Sequence, residues 1–189
     1  MNKDPLIILI GGASGTGKST LSKNLSERLN IIHRLGTGFV REILRSQINM
    51  QDNPYMFGFT FEPCGFKDPV EKFVKQSSYM KDAISACIDR AYDEGTSLII
   101  EGAHIIPGLI QNKRISLTVL LYNPYLDLHF KMINGPTHFK RVISDDNFAI
   151  SRKIQDWLLA EAEKYNVPVL QSSNGAKVLD EIVKLCPGY

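Results

Sequence analysis

Five apolar residues, Leu6-Ile7-Ile8-Leu9-Ile10, run without a break into Gly11-Gly12-Ala13-Ser14-Gly15-Thr16-Gly17-Lys18-Ser19. A continuously apolar, β-branched stretch of this length reads as a strand buried on both faces, the mark of a parallel sheet. The glycines cannot continue that strand. From Lys18 to Leu29, the residues Leu21, Leu25 and Leu29 recur every four positions, so a helix follows. Strand, glycine loop and helix in that order restrict the chain to a few α/β architectures.

The loop fits the pattern G-x4-G-K-[ST], the Walker A phosphate loop, in the context that makes the motif credible. Glycines let the backbone curl so that its N–H groups converge on phosphate oxygens. The N-terminus of the following helix adds a favourable dipole. The expected nucleotide cradle is Gly12, Ala13, Ser14, Gly15, Thr16, Gly17, Lys18, Ser19 and Thr20. Lys18 is expected to bridge the β- and γ-phosphates of ATP, and Ser19 to place its hydroxyl on Mg²⁺.

The rest of the chain repeats the strand–helix alternation. Ile31 to Leu35 reads as a second strand, with a helix starting at Thr37 or Gly38. Residues 49–67 hold Pro54, Pro63, Gly58, Gly65 and several aromatics without a clear period, so a loop with a short helical turn is expected. Asp68-Pro69-Val70-Glu71 is a helix start, and Gly95 ends that helix. Leu98–Ile100, Leu117–Leu121 and Val167–Leu170 read as three further strands. A long helix carries Ile150, Ile154, Trp157, Leu158 and Tyr165 on one stripe, and a short helix near Val178–Leu185 follows. The expected fold is a P-loop α/β domain, residues 1–189, with a five-stranded parallel sheet flanked by helices. A short helical lid is expected at about 124–147.

Glu101 ends the third strand, at the carboxyl edge of the sheet where open α/β folds bind ligands. It is a candidate ligand for a Mg²⁺-bound water, or a base. His104 follows three residues later and faces the same edge, or is structural. Arg41 and Arg45 lie four apart on the second helix, and arginine forks match phosphate and carboxylate. Lys131, His138, Lys140, Arg141 and Arg152 surround Asn134-Gly135-Pro136-Thr137. Lid cations of this kind neutralise a transferring phosphoryl group, and Arg141 is the catalytic candidate among them. Asp145-Asp146 reads as a helix cap rather than a metal pair, and His33 and His129 as structural.

With 22 basic against 20 acidic residues, the net charge of +2 argues against a nucleic-acid partner. No apolar run approaches the length of a membrane helix. The three cysteines, Cys64, Cys87 and Cys186, lack disulfide-framework or zinc spacing, so a cytoplasmic setting is expected. The partner implied is a small phosphorylated or anionic metabolite.

Several stretches together resemble the 2-phosphoglycerate kinase family. They are the phosphate loop, Leu35-Gly36-Thr37-Gly38-Phe39-Val40-Arg41-Glu42-Ile43-Leu44-Arg45, the run from Glu94 through Glu101-Gly102-Ala103-His104-Ile105-Ile106-Pro107-Gly108, and Arg152 to Val169. The E-G-x-H-x-x-P-G stretch is the most specific. The resemblance implies ATP- and Mg²⁺-dependent phosphoryl transfer to a hydroxyl of 2-phosphoglycerate, with Arg41, Arg45 and His104 holding the acceptor. Lys18, Glu101 and Arg141 would carry the catalysis. The family usually has an aspartate where this sequence has Gly38. Either Glu101 takes that role, the acceptor differs, or transfer is weak. The competing readings are a kinase of another small metabolite and a non-catalytic ATP-binding switch.

Overall fold

The computed structural model describes residues 4–135 and 142–188. Five parallel strands form one sheet in the order β2-β3-β1-β4-β5. They are β1 Ile7–Gly11, β2 His33–Gly36, β3 Leu98–Glu101, β4 Leu117–Tyr122 and β5 Val169–Gln171. The helices are α1 Lys18–Leu29, α2 Thr37–Arg45, α3 Pro69–Asp93, α4 Leu126–Ile133, α5 Asp145–Lys164 and α6 Gly175–Leu185. A single 3-10 turn, Pro54–Met56, interrupts the loop between α2 and α3.

β1 is central and buried throughout, which is why its sequence is apolar at every position. Its side chains alternate between two cores. Ile8 and Ile10 pack with Leu21, Leu25 and Leu29 of α1 and with Val178 and Ile182 of α6. Ile7 and Leu9 pack with Val40 of α2 and Met80, Ile84 and Ile88 of α3. A third cluster joins Phe73 of α3 to Ile154, Leu158 and Ala162 of α5.

The expected elements are present, with shifted ends. β2 starts at His33 rather than Ile31, and β5 covers 169–171 rather than 167–170. Asp68 caps α3 by accepting from the Val70 N–H, and Gly95 turns the chain at φ +70°. The cap of α5 is Ser144, which accepts from the Asn147 N–H. Asp145 and Asp146 sit in the first turn, where acids favour the helix dipole. Tyr165 leaves the expected core stripe and lies against Gly108, whose missing side chain makes room for the ring. Among the described residues no helix is long and apolar enough to cross a membrane.

The register sets the functional edge. Glu101 pairs with Ile10 on one side and Gly36 on the other, so the ends of β1, β2 and β3 meet at one level. A Cβ on Gly102 would lie 1.7 Å from Thr37 Oγ1. Glycine there lets the start of α2 close onto the end of β3.

Candidate active site

A cavity of about 1160 Å³ opens at this edge. Its floor is the glycine-rich loop and the start of α1. One wall is the start of α2 with Gly58, Phe59 and Thr60, and the other includes Lys131, Met132 and Gly135.

The loop folds as the motif requires. Gly15 and Gly17 have φ of +81° and +84°, the region that glycine enters without cost. Gly17 caps α1 with no side-chain bond, which leaves the first amides of α1 without a side-chain cap. Lys18 is buried, and its Nζ donates to the Ala13 carbonyl at 2.6 Å and lies 3.4 Å from Thr16 Oγ1. Ser19 Oγ donates to Glu101 Oε1 at 2.8 Å. A hydroxyl and a carboxylate from residues 82 apart therefore meet beside the lysine.

Across the cavity, Arg41 is nearly buried. Its Nη1 donates to the Gly58 carbonyl at 2.8 Å, its Nη2 donates to Glu42 Oε1 at 2.8 Å, and it lies over the Phe59 ring. Arg45 pairs with the other oxygen of Glu42 and lies over Phe57. Burial pushes the Glu42 carboxyl up, but bonds and charge from Arg41, with the charge of Arg45, outweigh it and hold the group below its ordinary value. Both arginines line the cavity, so the structure brings them together as the helix spacing implied.

His104 also lines the cavity, but it is not a cation. Gln76 donates its amide N–H to the Tyr55 carbonyl, so Gln76 Oε1 accepts from His104 Nε2–H at 2.9 Å. Nδ1 then accepts from Thr37 Oγ1 at 2.9 Å. Burial, then the charges of Arg41, Lys72 and Lys18, push the imidazole down to about 3. Both ring nitrogens are occupied by protein partners, so His104 could hold an anion directly only if one of these bonds opened. It ties the end of β3 to α2 and α3.

Three residues missed in the sequence form or back this wall: Thr37 lines the cavity, and Gln76 and Lys72 lie buried behind it. Thr37 and Gln76 bracket His104, and Lys72 is fully buried with Nζ donating to the Phe59 carbonyl at 2.5 Å. The signal was a row of five residues spaced four apart, Lys72, Gln76, Met80, Ile84 and Ile88, all buried on α3. Two polar members of an apolar row need partners inside, and they find them on the 55–60 loop.

Arg141, with His138 and Lys140, lies outside the described residues. Arg152 does not reach the cavity. Its Nη1 donates to the Asn123 carbonyl at 2.5 Å. No three residues among the described His, Cys, Asp and Glu come together as a metal cage. Magnesium commonly does without one, being held by one or two oxygens and substrate phosphates.

Sheet order, phosphate loop and edge cavity define a P-loop kinase fold. Shikimate kinase from Acinetobacter baumannii, solved with shikimate, matches with a TM-score of 0.58 at 13% identity, covering 97% of this chain and 93% of that one. A gluconokinase from Sinorhizobium meliloti matches with a TM-score of 0.57 at 11% identity, covering 97% and 92%. In sequence the chain is a relative of the archaeal 2-phosphoglycerate kinases. It is 32% identical to that of Pyrococcus horikoshii over 96% of its length, and 30% identical to that of Methanococcus maripaludis strain C6 over 98%. The chain spans 65% and 64% of the length of those two relatives. No protein-family model matches it.

Proposed function

We propose that this protein is an ATP-dependent small-molecule kinase that phosphorylates a hydroxyl of an anionic metabolite, with 2-phosphoglycerate the leading acceptor. The observation that carries the reading is the meeting of Lys18, Ser19 and Glu101 at one end of the glycine-rich loop. The names of the relatives support the choice of acceptor.

The donor set fits Mg²⁺: Ser19 Oγ and Glu101 Oε1 are hard oxygen ligands 2.8 Å apart. Ser19 would bind the ion directly and Glu101 one of its waters. Bound Mg-ATP supplies the phosphoryl group and neutralises charge as it transfers. The loop amides and Lys18 hold the phosphates, with Lys18 swinging from the Ala13 carbonyl onto the β- and γ-oxygens. Arg41 and Arg45 hold the acceptor's anionic group in competition with Glu42. Thr37 and the neutral His104 fix the wall between the two substrates. The acceptor oxygen would form its bond to phosphorus as the bond from the γ-phosphorus to the bridging oxygen breaks, with ADP leaving on that oxygen and the hydroxyl proton passing to Glu101 or to solvent. A loose transition state asks little of a base, so positioning and charge neutralisation carry most of the rate. Segment 124–147, including Arg141, acts as the lid that excludes water.

The test is ADP release with Mg-ATP over a panel of phosphorylated three-carbon acids, sugars and nucleosides. Stimulation by 2-phosphoglycerate, lost in Lys18→Ala, is expected. Stimulation by another compound keeps the kinase and replaces the acceptor. Tight ATP binding with no stimulation favours a switch module, the reading that Gly38 supports by removing an acid from α2.

A further inference from the structure

The reaction described above uses nothing from the far side of the glycine-rich loop, yet that side carries a buried polar chain. His129 of α4 is fully buried. Its Nε2–H donates to the Ser14 carbonyl at 2.7 Å, and Ser151 Oγ lies 3.4 Å from the same oxygen. His129 Nδ1 accepts from Arg152 Nη1 at 3.3 Å. Arg152 is held in turn by the Asn123 carbonyl, and Gln155 bonds both the N–H and the carbonyl of Asn123. The chain thus runs from the end of β4 through α5 and α4 to the phosphate loop.

Ser14 is the third residue of the cradle, and its peptide bond to Gly15 is trans. In a trans peptide the C=O and the next N–H point in opposite directions. Fixing the Ser14 carbonyl toward α4 and α5 therefore turns the Gly15 N–H away from them. Ile133, at the end of α4, presses on the same residue: a Cβ on Gly15 would lie 2.6 Å from Ile133 Cβ. Burial, opposed by the Ser14 bond and helped by the charges of Arg152 and Lys18, lowers the His129 pKa. A neutral ring is the form that can donate from Nε2 and accept at Nδ1 together.

We infer that His129 is a positioning residue for phosphoryl binding: by holding the Ser14–Gly15 peptide plane it presets an amide of the glycine-rich loop for the nucleotide's phosphates. The inference rests on the ATP-binding reading above. It also gives α4, which leads into segment 134–147, a direct grip on the loop.

The experiment is equilibrium binding of Mg-ATP and of inorganic tripolyphosphate to the full chain, as wild type, His129→Phe and His129→Gln. Phenylalanine keeps the ring but leaves the Ser14 carbonyl without its main donor. Glutamine puts an amide N–H near the position of Nε2. Losing a buried bond of this kind is worth roughly tenfold in affinity. His129→Phe is expected to weaken both ligands by about that factor, equally, because the defect lies at the phosphates. His129→Gln is expected to restore most of it. Wild-type affinity in a folded His129→Phe overturns the inference, as does a loss confined to Mg-ATP. If His129→Phe does not fold, Ser151→Ala decides. A few-fold loss for both ligands supports the inference, and none overturns it. A wild type that binds neither ligand defeats the kinase reading and this inference together.

Discussion

Gly38 stands where the resemblance to the 2-phosphoglycerate kinases implies an aspartate, and the structure shows what surrounds it. The residue lies in the first turn of α2 and lines the cavity, and a Cβ there would meet nothing within 4 Å. A side chain at this position therefore has room. Gly38→Asp is expected to fit and to stabilise the fold by about 0.5–1 kcal/mol, from helix propensity and the dipole. A thermal melt checks this, with a small rise expected. The same variant is expected to raise turnover with 2-phosphoglycerate while leaving the KM for ATP unchanged. A fall in turnover would mean that Glu101 already serves, and that a second acid repels the anionic acceptor. His104 teaches a related lesson. The residue was legible as part of the site, but its charge state was not, because Thr37 and Gln76 reach it across 67 and 28 residues.

At the scale of elements, α3 does more than cover the sheet. Its buried row begins with Lys72 and Gln76, which hold the carbonyls of Tyr55 and Phe59 and so fix the loop beside Arg41. The groups whose charges bear on Lys72 are Arg41 from α2 and Glu62 and Cys64 from the loop. Burial, the largest effect, lowers the Lys72 ammonium from 10.5 to about 8. Between those values the unfolded chain keeps a proton that the folded chain has released, so raising the pH through that window favours the folded state. The stability of wild type relative to Lys72→Met is therefore expected to rise from about pH 8 to pH 10.5 and to be flat below about pH 7. Melts of the two proteins at matched pH read it. A constant difference would mean that the amine titrates at the same pH in the folded and unfolded chains.

The element pattern was legible because buried parallel strands and amphipathic helices each leave a local period. β1, the loop, α1 and Glu101 all came from residues near in sequence. What was not legible came from long-range packing. Arg152 read as a lid cation, whereas Asn123 and His129 hold it behind the glycine-rich loop. His129 read as structural and is fully buried, but nothing local reveals its partner, the Ser14 carbonyl 115 residues away.

At the scale of the whole molecule, both walls of the cavity come from segments between Ser14 and Gly135. On the proposed function, the phosphates would lie against the glycine-rich loop, α1 and α4, and the acceptor against α2 and the 55–60 loop. The two sides meet at the end of β3, where Glu101 faces Ser19 and His104 faces Thr37. That division would suit a transfer reaction, with a binding site on each side of one junction. The most direct test of transfer is phosphorus NMR of a reaction holding the protein, Mg-ATP and 2-phosphoglycerate. Growth of a second phosphate ester on the acceptor, matched by ADP and absent with Lys18→Ala, is the predicted result. ATP consumed with only inorganic phosphate appearing, or no change at all beside tight ATP binding, would contradict the account.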